Sequence, residues 1–222
     1  MTLYSYCLRY DDGAAPNPYW GVCTLVICKP AIRRVAEEGD WIVGLGSVHS
    51  PVGDISSSVV YAMKVTKVLS LQQYDQLCKK ELPEKVPDWS NENFRRRVGD
   101  CIYDYSVPEK PRVRLSVHDE GNRKTDLGGK NAVLSSQFYY FGAKPIPLPR
   151  DLYPIIHRTQ GHKSHANTDY MQPFVQWIEK SGYESNRLYG DPQLKSQIMG
   201  MADCRGACAS RDREDDDMDE VC

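Results

Sequence analysis

An α+β fold is predicted, with a strongly bent mixed sheet or small β-barrel and short flanking helices. Two observations predict it: segments with strand patterning outnumber those with helical patterning, and every helical segment is short. The chain of 222 residues is long enough for one full core and has no Ser/Gly-rich linker. Residues 1–200 are therefore expected to form a single domain, followed by an acidic, disordered tail over 201–222.

The elements follow in order. "LYSYCLRY" alternates apolar and polar positions and predicts a strand ending at the turn residues Asp11, Asp12 and Gly13. After "APNP", the nearly continuous apolar run "YWGVCTLVIC" predicts a buried strand. "PAIRRVAEEG" has Pro30 where a helix can start, Ile32 and Val35 on one face, and Gly39 where a left-handed terminator fits, so it predicts a short helix. "DWIVGLGS" and the longer "SVVYAMKVTKVLS" predict strands. In "SLQQYDQLCKK", Ser70 is an N-cap and Leu71, Tyr74, Leu77 and Cys78 share a helical face. Residues 81–131, with four prolines and many charges, predict a long excursion with short strands such as "CIYDY" and "VRLSV". "AVLSSQFYYFG" predicts another strand. The prolines of "PIPLPRDLYP" argue against any regular element, and "MQPFVQWIEKSG" predicts a last helix with Phe174, Trp177 and Ile178 on one face.

The net charge is −2, but the last twelve residues contribute −5, so residues 1–210 carry +3. This mild basicity suits a phosphate-bearing ligand and is too small to argue by itself for tight duplex binding. No apolar run approaches the roughly 20 residues a membrane-crossing helix needs, and the N-terminus lacks signal-peptide features, which predicts a cytoplasmic protein with no membrane partner. Cys7, Cys23, Cys28, Cys78 and Cys101 sit in or beside apolar segments and read as reduced packing residues. Cys204 and Cys208 lack the second pair that a zinc site needs.

The sequence has no P-loop, no G-x-G-x-x-G opening a helix, no H-E-x-x-H and no G-x-S-x-G. Three stretches carry other chemistry. Asn17, Tyr19 and Trp20 combine amide and aromatic groups that can hydrogen-bond a base edge and stack on its ring, while Lys29, Arg33 and Arg34 lie near a helix start. The alternative is that Trp20 is core, Asn17 a turn former and the arginines a solvated face. "HRTQGHKSHAN" is a loop with three histidines, Arg158 and Lys163 around Gly161, a composition that packing does not explain. A metal would draw on His162, His165 and one of His157, His118 or Asp119; the loose spacing and the absence of a carboxylate from the loop argue against one, and no cofactor is expected. In "SSQFYYFG", Phe138 and Tyr140 share one strand face and Tyr139 and Phe141 the other, so an aromatic on the non-core face, with Tyr140 a candidate, can stack on a base.

"YSYCLRYDDGAAPNPYWGVCTLVICKPAIRRVAEEGDWIVGLGS", then "VVYAMKVTKVLSLQQY", "GDCIYD", "VLSSQFYYFG" and "GHKSHAN", together resemble the nucleotide modification associated domain 2 family over roughly residues 3–192. The resemblance implies a bacterial or phage protein linked to systems that modify or police nucleic-acid bases. "EEGDWIVGLGS" is also similar to a piece of the small barrels of the pseudouridine-synthase-associated (PUA), ASCH and EVE group, which implies a PUA-like fold that binds RNA or modified bases.

The expected function is recognition of a nucleotide, modified base or nucleic acid, beside a modification enzyme or defence nuclease. Asn17 and Trp20 would contact the base, Lys29, Arg33 and Arg34 the phosphate, and Gly161, His162 and Lys163 would close the pocket; Asp40, Trp41 and Tyr140 complete the candidate set. An enzyme is the alternative, with His162 or His118 as acid/base and Asp12, Asp40 or Asp119 as partner. A third possibility is a protein-interaction module whose acidic tail docks on a basic partner.

Overall fold

The computed structural model describes residues 1–159 and 161–200, so the expectations for 201–222 lie outside the described residues. The architecture is mixed α+β. Its strands are β1 (Leu3–Cys7), β2 (Cys23–Leu25), β3 (Trp41–Leu45), β4 (Ser58–Lys64), β5 (Lys67–Ser70), β6 (Tyr103–Asp104), β7 (Arg112–Val113), β8 (Asn131–Ser135), β9 (Gln137–Tyr140), β10 (Ile146–Pro147) and β11 (Arg187–Leu188). Its α-helices are α1 (Pro30–Val35), α2 (Leu71–Lys80), α3 (Phe94–Arg97), α4 (Arg123–Gly128), α5 (Met171–Glu179) and α6 (Lys195–Gly200).

The largest sheet has the order β1-β3-β4-β9-β11, with β10 also paired to β4; a second runs β2-β8-β5, and β6 and β7 form a small pair. The largest sheet is open, ending at β1 and β11, so the small closed barrel expected as one alternative does not form among the described residues. Its pairing is mixed: β1 and β3 are parallel, as are β9 and β11, while β3, β4 and β9 are antiparallel neighbours.

Both faces of this sheet are covered, which is why its strands read as continuous apolar runs. Leu3, Trp41, Val43 and Leu45 face α5 through Phe174 and Ile178, while Tyr4, Tyr6, Ile42, Tyr61 and Tyr140 face β2, β8 and α1 through Leu25, Val133 and Ile32. Phe138, Tyr139, Tyr140 and Phe141 are therefore all buried. Gly44 is required within β3, because an added Cβ would lie 2.4 Å from the Tyr61 ring.

Three expected strands change form. "SVVYAMKVTKVLS" divides into β4 and β5 in different sheets, because Val65 donates its N–H to Asp40 and Thr66 donates to Leu134 between them. "AVLSSQFYYFG" likewise divides into β8 and β9. The run "YWGVCTLVIC" keeps only Cys23–Leu25 as strand, since Trp20 and Gly21 both take left-handed backbone and form the turn that lets Asn17 pair with Thr24. Among the prolines of 145–154, a short strand and a 3-10 turn over Arg150–Ile155 do form.

Helix α2 has the expected cap: Ser70 Oγ accepts from Gln73 N–H at 3.2 Å, and the Gln73 side chain accepts from Ser70 N–H at 2.9 Å. Gly39 is left-handed but does not terminate α1 as expected: the helix ends at Val35 with Ala36 already extended, and Gly39 belongs to the following turn, where Asp40 N–H donates to Glu37 O. No helix of the described residues is long and apolar enough to cross a membrane.

Lys85 is buried, and its ammonium donates to Asn17 O, Asn17 Oδ1, Val22 O and Thr24 Oγ1, all within 2.9 Å. Burial lowers its pKa and the nearby Asp100 carboxylate opposes that shift. Asp100 accepts in turn from Thr24 and Tyr74. Removing one charge from such a buried set costs about 3–5 kcal/mol, because the remaining charge is left uncompensated. Lys85→Met is expected to lose stability on that scale in urea denaturation, with part of the loss recovered by adding Asp100→Asn. A loss below about 1 kcal/mol would show that this network does not hold the fold together.

Candidate functional site

The histidine loop is built onto the outer edge of β1. Ser5 and Lys163 exchange backbone hydrogen bonds at 3.0 and 2.8 Å, and buried Asn167 donates to Leu3 O, Ser5 Oγ and Lys163 O. Gly161 supplies a left-handed turn beside this bridge. The bridge sets the His162 ring 5.7 Å from the Tyr4 ring. Lys29 lies against the same face of β1, its ammonium 4.7 Å from the centre of the Tyr6 ring, two residues along the strand from Tyr4. His162 is held below its usual pKa first by burial, then by the charges of His157 and Lys29. Two candidate stretches more than a hundred residues apart therefore lie against one face of β1.

Other candidates face elsewhere. Asn17 is buried, with Nδ2 donating to Val98 O at 2.8 Å and Oδ1 accepting from Lys85. Trp20 packs against the cluster around Tyr19, Phe94 and Val98, and its indole N–H has no partner among the described residues. Arg33 is buried and donates to Cys28 O, Asn131 O and Asp126 O at 2.7, 2.8 and 2.6 Å, so its guanidinium serves the fold where a phosphate contact was expected. Arg34 is exposed in its contact with Gly128 O. Asp40 accepts from Thr2 and Glu37 N–H groups, and Trp41 is core against Phe174. The Lys163 ammonium donates to Pro154 O.

Cys28, read as a packing residue, lies in the bend between β2 and α1, three residues beyond Leu25, and is only half-buried. Cys28 and Lys29 take φ of 59° and 40°, two successive left-handed non-glycine residues, each costing on the order of 1–3 kcal/mol. Three contacts hold them so: Cys28 N–H donates to Asp126 Oδ1 at 3.1 Å, its carbonyl accepts from Arg33, and its Sγ lies 3.6 Å from His118 Nε2. The other ring nitrogen of His118 is 2.7 Å from Asp126 Oδ2, which also accepts from the Tyr103 hydroxyl at 3.0 Å. Asp126 is thus a partner of His118; the candidate Asp119 accepts from Gly121 N–H in a capping box. Cys23, Cys78 and Cys101 are also free thiols and are buried, whereas Cys7 is disulfide-bonded and so departs from the reduced reading. Among the described residues, no group of three or more His, Cys, Asp or Glu could hold a metal ion.

Lys110, Arg112 and Arg123 line an open groove of about 440 Å³ with Glu120. Arg123 is close enough to Tyr103 for its charge to oppose the rise that burial imposes on that phenol.

A sequence model of the nucleotide modification associated domain 2 family matches residues 1–199. The chain belongs to this family. No curated protein and no solved structure matches it. Membership in the nucleotide modification associated domain 2 family supports a role in nucleotide modification systems.

In this nucleotide modification associated domain 2 chain, Tyr140 is wholly buried and donates its hydroxyl to Asp11 Oδ2 at 2.7 Å. Burial pushes the Asp11 carboxyl from 3.8 up to about 7, opposed by the bonds from Tyr140 and Gly13. Between those values the folded chain holds a proton that the unfolded chain releases. Stability from this group is therefore present below about pH 4 and lost as pH rises to about 7, at up to roughly 1.4 kcal/mol per pH unit. Asp11→Asn is expected to flatten that fall, measured as urea midpoints at about pH 5 and pH 8. Parallel profiles for variant and parent would exclude Asp11 as the titrating group.

Proposed function

We propose that the domain recognises a nucleotide or modified base in a bacterial or phage nucleic-acid modification or defence system, beside a modification enzyme or nuclease. Lys29 holds the phosphate and His162, backed by Tyr4, contacts the base. The observation that carries this reading is that His162 and Lys29 lie against neighbouring rings, Tyr4 and Tyr6, on one face of β1, which puts a cation, an imidazole and aromatic rings on the same strand. Such a set can bind phosphate through a charge-assisted bond and a base through stacking or its polar edge. Family membership supports a role in nucleotide modification systems. An enzyme is the second reading, favoured by the contact of Cys28, His118 and Asp126.

Thermal shift against modified and unmodified nucleosides, nucleotides and short oligonucleotides tests the proposal, since a ligand of the folded state raises the melting temperature by mass action. Lys29→Gln is expected to weaken a nucleotide by about 1–3 kcal/mol and to leave the matching nucleoside little changed. His162→Ala weakens both. Equal losses for nucleotide and nucleoside in Lys29→Gln, or no shift with any ligand, would remove this face from consideration.

A further inference from the structure

We propose that Cys28 is a nucleophile activated by His118 and oriented by Asp126, and that it takes an acyl group from an ester or amide. The assignment of proton positions follows from Asp126. Its two oxygens face three donors or potential donors: Cys28 N–H on Oδ1, and the Tyr103 hydroxyl and His118 Nδ1 on Oδ2. An ionised carboxylate only accepts, so Nδ1 carries the hydrogen and Nε2 presents its lone pair to the Cys28 thiol 3.6 Å away. This is the order of groups that nucleophilic catalysis requires: nucleophile, base, and a third group that fixes the base's tautomer.

Two independent features set this cysteine apart from a packing thiol. Its backbone, with that of Lys29, is held in the left-handed region by contacts to Asp126 and Arg33, and strained conformations held by surrounding structure cluster at functional sites. It is also half-buried, while Cys23, Cys78 and Cys101 are sealed in the interior.

In the reaction, the Cys28 proton passes to His118 Nε2 and the sulfur adds to the carbonyl carbon. The tetrahedral adduct collapses, the leaving alcohol or amine takes the proton from His118, and a thioester remains on Cys28. Water then gives a proton to Nε2 and adds to the thioester, releasing the carboxylic acid while the thiolate recovers its proton. The sum is hydrolysis, with no electron gained or lost. Lys29 follows Cys28 in the same left-handed stretch before α1, and its ammonium lies over the Tyr6 ring. The substrate is therefore an acyl group carried on a nucleotide whose phosphate rests at Lys29. That nucleotide assignment rests on the proposed function; the nucleophile does not.

The test uses the full chain and two probes, iodoacetamide and p-nitrophenyl acetate, with modification read at Cys28 by peptide-resolved mass spectrometry. Cys28 is expected to alkylate with a pH midpoint well below the roughly 8.5 of an ordinary thiol. His118→Asn, checked for folding by circular dichroism, should return that midpoint to the ordinary range and lower the rate near pH 6 by at least about tenfold. Asp126→Asn should move the midpoint in the same direction. p-Nitrophenyl acetate should leave an acetyl thioester on Cys28, absent in Cys28→Ala. An ordinary midpoint in the parent chain, with no thioester, would overturn the proposal even if His118→Asn failed to fold. A low midpoint with no protection by any nucleotide would leave the nucleophile standing and sink the nucleotide reading; nucleotide binding with an inert Cys28 would do the reverse.

Discussion

The arrangement around α1 depends on one buried guanidinium. Arg33 joins three separate parts of the chain by donating to the carbonyls of Cys28, Asp126 and Asn131. These lie in the bend between β2 and α1, in α4 and at the start of β8. A planar fork with fixed donor directions can satisfy three such carbonyls at once, which the single ammonium of a lysine cannot do with the same geometry. Gly129 completes the fit: an added Cβ there would lie 2.2 Å from the guanidinium carbon. Burial lowers the Arg33 pKa, and the charge of Asp126 is the largest influence opposing it. The carboxylate that orients His118 thus also steadies the cation that positions Cys28.

A second buried cation acts at the other end of the same stretch. Lys85 gathers the carbonyls of Asn17 and Val22 with the Thr24 hydroxyl. Between Asn17 and Arg33 the chain has only three residues of strand and one short helix, too little regular structure to fix its course through repeated backbone pairing. Two buried cations and their acceptors supply that constraint. An uncompensated buried charge is costly, so each of these carbonyls must stay in place, and the left-handed pair at Cys28 and Lys29 is held between the two clamps.

Much of the fold was legible because local chemistry sufficed. The Ser70 capping box, Pro30 at the start of α1 and Gly39 beyond it each specify backbone without help from distant residues. The divisions at Val65–Thr66 and at Ser136 were not read from the sequence, since neither carries a proline or glycine and the polar residues there, Thr66-Lys67 and Ser135-Ser136-Gln137, are short enough to sit within one strand. The site divides the same way. Lys29 and His162 stood out because they occupy stretches that packing does not explain. Cys28 did not, because a thiol at the end of an apolar run reads as core, and its partners are 90 and 98 residues away. Asp119 drew attention to itself by being next to His118, yet its carboxylate caps a turn. The available signal was the placing of Cys28-Lys29-Pro30 at a strand-to-helix junction, where a side chain is presented at an element's end.

The two halves of the site are coupled by charge. Burial first, then His157 and Lys29, keep the His162 imidazole from taking up a proton. An anion seated at Lys29 offsets part of that cationic field, so the pKa of His162 rises toward its ordinary value as the anion binds. By linkage the converse holds, and protonating His162 strengthens the hold on the anion by the same factor. Lys29 can serve this exchange without disturbing the fold, because its ammonium rests on the face of the Tyr6 ring. Arg33, three carbonyls deep in the interior, cannot. The division of labour between these two basic residues, four apart in the chain, follows from which of them the backbone around Cys28 requires.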